Sequence, residues 1–250
     1  MQADFLASPR RSRTRLLAAV AAGLVVLAAV VVLAGRARSA QRDGQASGAQ
    51  PPVVPTAAAT GTTAPSASAT TSPADRVRLV EGTRHVNDVA VGYPHTMAGA
   101  VSAAVEYTSE LGSTLDFGRA QQIGAAATDP ASGRSAAFYA QGVATNRKAI
   151  GLPVSGDVPI GASLSVGPVS YQLRDASGDR ATVLLLAYLT WITAAKGMHN
   201  VVIVVPVAMS WAKGDWKLAG RPAGAADYAE LRYQPGSTEA VTAGWLPLTA

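Results

Sequence analysis

Cysteine is absent from all 250 residues of this chain. That excludes disulfide staples, a lipobox anchor and a thiol nucleophile. Histidine is scarce: His85, His95 and His199 are the full set, and no two stand at H-E-x-x-H spacing. No G-x-S-x-G occurs, so no serine elbow is expected. Aromatic side chains make up only 6% of the residues and charged ones 15%. No cofactor and no metal is expected, and no catalytic motif supports an enzyme.

What is plentiful is aliphatic. Leu16–Gly35 is an uncharged run, almost entirely Leu, Val and Ala. At 1.5 Å per residue its length matches a hydrocarbon core of about 30 Å. Arg10, Arg11, Arg13 and Arg15 precede it, and Arg36, Arg38 and Arg42 follow it. The bias predicts a cytoplasmic basic tail (1–15), a transmembrane helix (16–35) and the bulk of the chain outside. A cleaved signal peptide is the alternative, because Ala37-Arg38-Ser39 roughly fits a small-x-small site. Against it, signal-peptide cores usually span about 7–15 residues. Arg10-Arg11 sits in poor surroundings for a twin-arginine signal.

The net charge of +5 has one source. The seven Arg that flank the apolar run, set against Asp4 and Asp43, account for all of it. Residues 51–250 are therefore neutral, and nucleic acid is not an expected partner. The flanking Arg are placed to meet lipid headgroups.

Residues 36–75 are rich in Ala, Thr, Ser, Pro, Gly and Gln, with little to bury. Such composition predicts a disordered linker, a spacer between bilayer and domain. Ser/Thr/Pro content also fits an O-glycosylated stalk. Residues 76–250 remain, enough for one extracytoplasmic domain with its own core. Arg76, Arg78 and Arg84 form a mild basic cluster at its start, read as solvated.

Helices come first in that domain. Thr96 is a good N-cap, and Met97, Ala100, Val101, Ala104, Val105, Thr108 and Leu111 keep helical spacing. Gly112 is expected to end this helix as a C′ residue. A second helix is expected over Leu115–Ala127 and a third over Ser132–Ala149, with Arg147 and Lys148 suited to a C-terminal turn. Gly142 weakens the middle of the third.

Strand signals follow. Ala162–Leu173 reads as a strand with a bulge or kink at Gly167-Pro168. Ser177-Gly178-Asp179 reads as a turn. Arg180–Thr193 is apolar on both faces and is read as the central strand. Lys196–Asn200 is read as a loop and Val201–Ala212 as another strand, with Pro206 at a bulge or an edge. Lys213-Gly214-Asp215 closes a tight hairpin into Trp216-Lys217-Leu218. Helices followed by long antiparallel strands predict an α+β fold, with N-terminal helices packed on one face of a curved antiparallel sheet.

Several segments carry a likeness. Val89–Thr96 (VAVGYPHT), then Gly99–Tyr107, resembles a pattern in actinobacterial single-pass membrane proteins of unknown function. The Val-rich strand leading to Trp211, the Gly214–Leu218 turn and Trp245-Leu246-Pro247 add to it. The layout also resembles TcpC-like conjugation proteins and the inner-membrane scaffold subunit of type IV secretion systems. That resemblance implies a nuclear-transport-factor-like cone of helices against a bent sheet. It also implies a non-enzymatic scaffold role in a secretion- or conjugation-like envelope complex, with other protein subunits or copies of this chain as partners.

A cone can instead hold a pocket, as in ketosteroid-isomerase-like enzymes, which gives the alternative of a tethered small-ligand-binding or isomerase-like domain. Tyr93, His95 and Tyr107 could supply polar groups to such a pocket. The plainer reading is that Tyr93 and His95 shape the turn before the helix and Tyr107 packs at its edge. Trp191, Trp211 and Trp216 are expected in the core or at its rim. Trp245 is expected to lie over the domain or to meet a partner.

Overall fold

The computed structural model describes residues 77–220 and 228–249. The expected basic tail, membrane span and linker fall outside them. Among the described residues no helix is long and apolar enough to cross a membrane.

A hairpin comes first. β1 (Arg84–Val86) pairs antiparallel with β2 (Val89–Val91). Asn87 and Asp88 join them at φ 52° and 57°. Positive φ at both positions is what a right-twisted two-residue hairpin requires.

α1 (Met97–Gly112) starts where the sequence places it, with the Gly99 N–H donating to Thr96 Oγ1 at 3.0 Å. Ala100, Val101, Ala103, Ala104 and Tyr107 are fully buried on its inner face. Its end differs from expectation. Gly112 is the last helical residue, and Ser113 caps the helix at φ −100°. Gly112 is there for space: a Cβ would lie 2.6 Å from Val166 Cγ2 on the neighbouring strand.

α2 (Phe117–Ala127) begins two residues later than expected, because Asp116 takes the N-cap and accepts the Arg119 N–H at 2.6 Å. α3 (Ala136–Ile150) is shorter than expected at its start. Pro130–Ser132 forms a separate 3-10 turn, stopped by Gly133 at φ 70°. α2 and α3 approach closely at Gly124, where a Cβ would sit 2.4 Å from the Tyr139 ring.

Five antiparallel strands complete the fold: β3 (Ser163–Arg174), β4 (Arg180–Thr193), β5 (Gly197–Ala212), β6 (Asp215–Leu218) and β7 (Leu246–Pro247). Their spatial order is β6-β5-β4-β3-β7, so β4 is central as expected. The β3–β4 register shifts between Pro168 and Ser170, a bulge at the anticipated place. Pro206 stays in register against Leu184. It is tolerated because β6 covers only Met209–Ala212 of the outer edge of β5. The expected loop over Lys196–Asn200 is a correction: β5 already begins at Gly197, and Met198, His199 and Asn200 pair with Ile192, Trp191 and Thr190.

The two faces of β4 enter different cores. Ala181, Val183 and Leu185 pack under α1 with Tyr107, Ile123 and Trp216. Leu184 and Leu186 point the other way, against Ala240 and Trp245. That second face is covered by the C-terminal segment, which holds a 3-10 turn (Ala229–Leu231) and α4 (Thr238–Thr242). The architecture is α+β with cover on both faces, where the sequence suggests helices on one. The first and last described segments also meet. The Leu79 N–H donates to Thr249 O at 2.9 Å, and Thr249 Oγ1 donates to Val77 O at 3.2 Å.

Candidate functional site

A cavity of about 170 Å³ lies between α1, α3 and the sheet. Its α3 wall is Tyr139, Gly142, Val143 and Asn146, the i, i+3, i+4, i+7 face of one helix. Tyr107 and Leu111 of α1 face them. Val166, Leu189, Ile203 and Val207 supply the sheet side, so the lining is mostly apolar. Two features of the α3 wall explain the space. A Cβ at Gly142 would meet no atom within 4 Å. Asn146 is only 5% exposed, and its carboxamide forms no hydrogen bond among the described residues. Arg134 and Phe138 stand at the N-terminal end of that wall, with the guanidinium 4.9 Å over the Phe138 ring.

Three of the four sequence-chosen residues meet around β6. The Tyr93 and Tyr107 rings contact edge to face at 6.1 Å. The Tyr93 N–H donates to Asp215 Oδ1 at 2.9 Å, and Tyr107 OH donates to Trp216 O at 3.1 Å. Asp215 is fully buried, and its Oδ2 faces the Lys217 ammonium at 2.8 Å. Lys217 also donates to Ala126 O at 2.7 Å, which ties α2 to β6. Burial raises both tyrosine hydroxyls well above their ordinary pKa. Glu106 and Asp215 push the same way. Both tyrosines are therefore neutral hydrogen-bond donors. Only Tyr107 of this group lines the cavity, and its hydroxyl proton is committed to Trp216 O.

His95 lies further out. Its ring stacks on Trp211 at 4.1 Å between centroids, and Nε2 lies 2.9 Å from both Gly178 O and Asp179 Oδ1. It holds the β3–β4 turn against the start of α1. Trp216 is fully buried beside it, and its indole N–H donates to Pro94 O at 3.0 Å. Trp245 is on the opposite side of the sheet, 3% exposed, with its indole N–H donated to Leu231 O at 3.0 Å. It lies over the domain, as one of the two sequence readings has it, and offers no surface.

The sequence reading misses Gly142, Asn146 and Arg147. The first two have a signal: the inner stripe of a helix that carries glycine and asparagine where large apolar residues are expected. Arg147 stands with Lys148 in the last turn of α3, as expected, but does more than close the helix. It is fully buried, with Nε donating to Leu115 O at 2.8 Å and Nη1 to Gly156 O at 2.8 Å. Its guanidinium lies 4.6 Å over the Phe117 ring. It fastens the loop after α3 and takes no part in the cavity. Among the described residues, no group of three or more His, Asp or Glu is placed to hold a metal ion.

No curated protein and no solved structure matches this chain. The model of the family described as Domain of unknown function (DUF8175) matches residues 36–239. With most of its length matched, the chain belongs to that family.

Proposed function

We propose that this chain is a membrane-tethered, non-enzymatic domain that binds a small apolar ligand outside the cytoplasm. The observation that carries this reading is the cavity between α1 and α3. It has an apolar lining, a few polar groups and walls from separate elements, the usual make-up of a ligand site. The arrangement of three helices, a bulged β3 and a long β4–β5 pair fits the nuclear-transport-factor-like cone, in which a bent sheet wraps a pocket. The acid–base groups beside the cavity are already committed within the protein. Asp215 is occupied by Lys217 and the Tyr93 N–H, and Tyr107 by Trp216 O, so neither offers a free partner to a substrate in the cavity. The family match begins at residue 36, directly after the expected span, consistent with a tether outside the family unit.

Native mass spectrometry of the membrane-extracted full chain tests the reading. Retention of a small molecule, lost on Gly142→Leu, supports it. A chain that carries nothing and takes up no apolar probe sinks it. A reporter fused after Ala250 and active only in the cytoplasm overturns the orientation.

The scaffold reading keeps one observation. Among the described residues, no strand pairs with the outer edge of β5 before Ala208. Such an edge is a docking place for another chain. Crosslinking in membranes tests it, and a strictly monomeric chain removes it.

A further inference from the structure

Asn146 is a polar residue of the cavity wall whose carboxamide the protein leaves unpaired. It is 5% exposed, stands one turn beyond Gly142 and Val143 on the inner face of α3, and has no hydrogen-bond partner among the described residues. Its carboxamide is not among the fully enclosed unpaired atoms, so it keeps contact with open space, and an amide without a protein bond takes its partner from there. The hydroxyl groups of the same wall, on Tyr139 and Thr145, are held by Thr128 and by Gln141 O, so the partner must come from outside the protein.

The size of the cavity limits what that partner can belong to. At about 170 Å³ it is close to an engineered cavity of about 150 Å³ that admits benzene. The charge of the ligand is limited too. Arg134 lines the other end of the cavity, with its guanidinium 4.9 Å over the ring of Phe138, a residue about 12 Å from Asn146 along α3 at 1.5 Å per residue. No other cation lines the cavity. An ionised group beside Asn146 would therefore be desolvated without a counter-charge.

We infer that the cavity takes a neutral, single-ring or similarly compact apolar molecule whose hydroxyl or carbonyl group bonds the Asn146 carboxamide. This rests on the ligand-binding reading of the same cavity and adds the chemistry of the ligand to it.

The test uses the full chain in detergent micelles with 13C-labelled methyl groups. Toluene and benzyl alcohol are titrated in parallel, and the methyl signals of Val143 and Ile203 are followed. In the wild type both probes are expected to shift those signals, and Gly142→Leu is expected to abolish the shifts. The ratio of toluene Kd to benzyl alcohol Kd is then compared between proteins, which cancels micelle partitioning. Asn146→Leu is expected to lower that ratio about tenfold, the order of one lost hydrogen bond at a buried group. Asn146→Ala, with dispersed methyl signals as the check on folding, is expected to lower it in the same direction. An unchanged ratio, with both probes still shifting the cavity methyls, overturns the role of Asn146 and leaves the cavity as a ligand site. Absence of shifts in the wild type, as when water alone occupies the space, overturns both. Shifts that survive Gly142→Leu place the probes elsewhere and also overturn both.

Discussion

Replacing Gly142 by Ala should make this protein more stable. The position is inside α3, where glycine costs about 1 kcal/mol relative to alanine because more backbone freedom is lost on folding. The buried glycines among the described residues, Gly99, Gly112 and Gly124, could not accept the change, since a Cβ would strike a neighbour. At Gly142 it meets nothing within 4 Å. The expected gain is about 0.5–1 kcal/mol, or a rise in Tm of about 1–4 °C for a domain of this size. Leu should go further. Empty space of about 170 Å³ is worth on the order of 4 kcal/mol at about 24 cal/mol per Å³, and a side chain filling half of it recovers about 2 kcal/mol. Urea unfolding followed by tryptophan fluorescence reads both variants, with equal m-values as the condition for comparing midpoints. A loss of more than about 0.5 kcal/mol in Gly142→Ala would mean that the methyl meets packed atoms. The cavity, and the function drawn from it, would then have no wall at α3.

Four further outcomes are expected. Arg147→Met should cost about 2 kcal/mol, because two charge-assisted hydrogen bonds outweigh the relief of a buried charge, and hydrogen exchange in residues 151–157 should quicken. An unchanged unfolding midpoint would show that the carbonyl cage is idle. Trp245→Ala should cost about 3–5 kcal/mol by opening the second core, whereas a surface role would leave stability untouched. Gly112→Ala should cost about 1–3 kcal/mol through overpacking against Val166, measured by the same unfolding curves. Ser210 Oγ donates to Asp129 Oδ2 at 2.6 Å, and this bond, the Ala131 N–H and nearby Arg180 and Lys213 hold the carboxyl below its usual pKa. A depressed folded-state pKa stabilises above the unfolded value near 4 and is lost as pH falls below it. The stability gap between wild type and Ser210→Ala should therefore shrink between pH 6 and pH 3, and a gap that widens would contradict the assignment.

The parts of the fold legible in the sequence are those where local pattern and tertiary burial agree. The stripe from Met97 to Leu111 faces the core because nothing competes with its period. β4 is central because it is apolar on both faces, and the two faces turn out to serve two cores. The β1–β2 hairpin is not among the expected elements, because its strands are only three residues each and carry almost no period. The start of β5 at Gly197 reads as a loop because Lys, Gly, His and Asn dominate it, and pairing with the strong β4 overrides that composition. The meeting of Tyr93, Tyr107 and Asp215 was half legible. The tyrosines stand out, but the carboxylate that receives the Tyr93 N–H arrives from more than a hundred residues away, on a turn where Asp has an ordinary local role. Arg147 looks like a surface cation at a helix end, and only the fold shows the ring of carbonyls that encloses it.

The contact of residues 77–79 with Thr249 has a mechanical consequence. The two segments run parallel, with Arg78 opposite Thr249. Tension drawn between the head of one and the tail of the other acts along both strands, in opposite directions. The Leu79 and Thr249 hydrogen bonds are then loaded in shear and must break together instead of peeling one at a time. A domain fastened this way resists being unravelled from residue 77 onward, and force applied there meets β3 through the Val77 N–H donated to Tyr171 OH before it meets α1 through Val80 and Ser102.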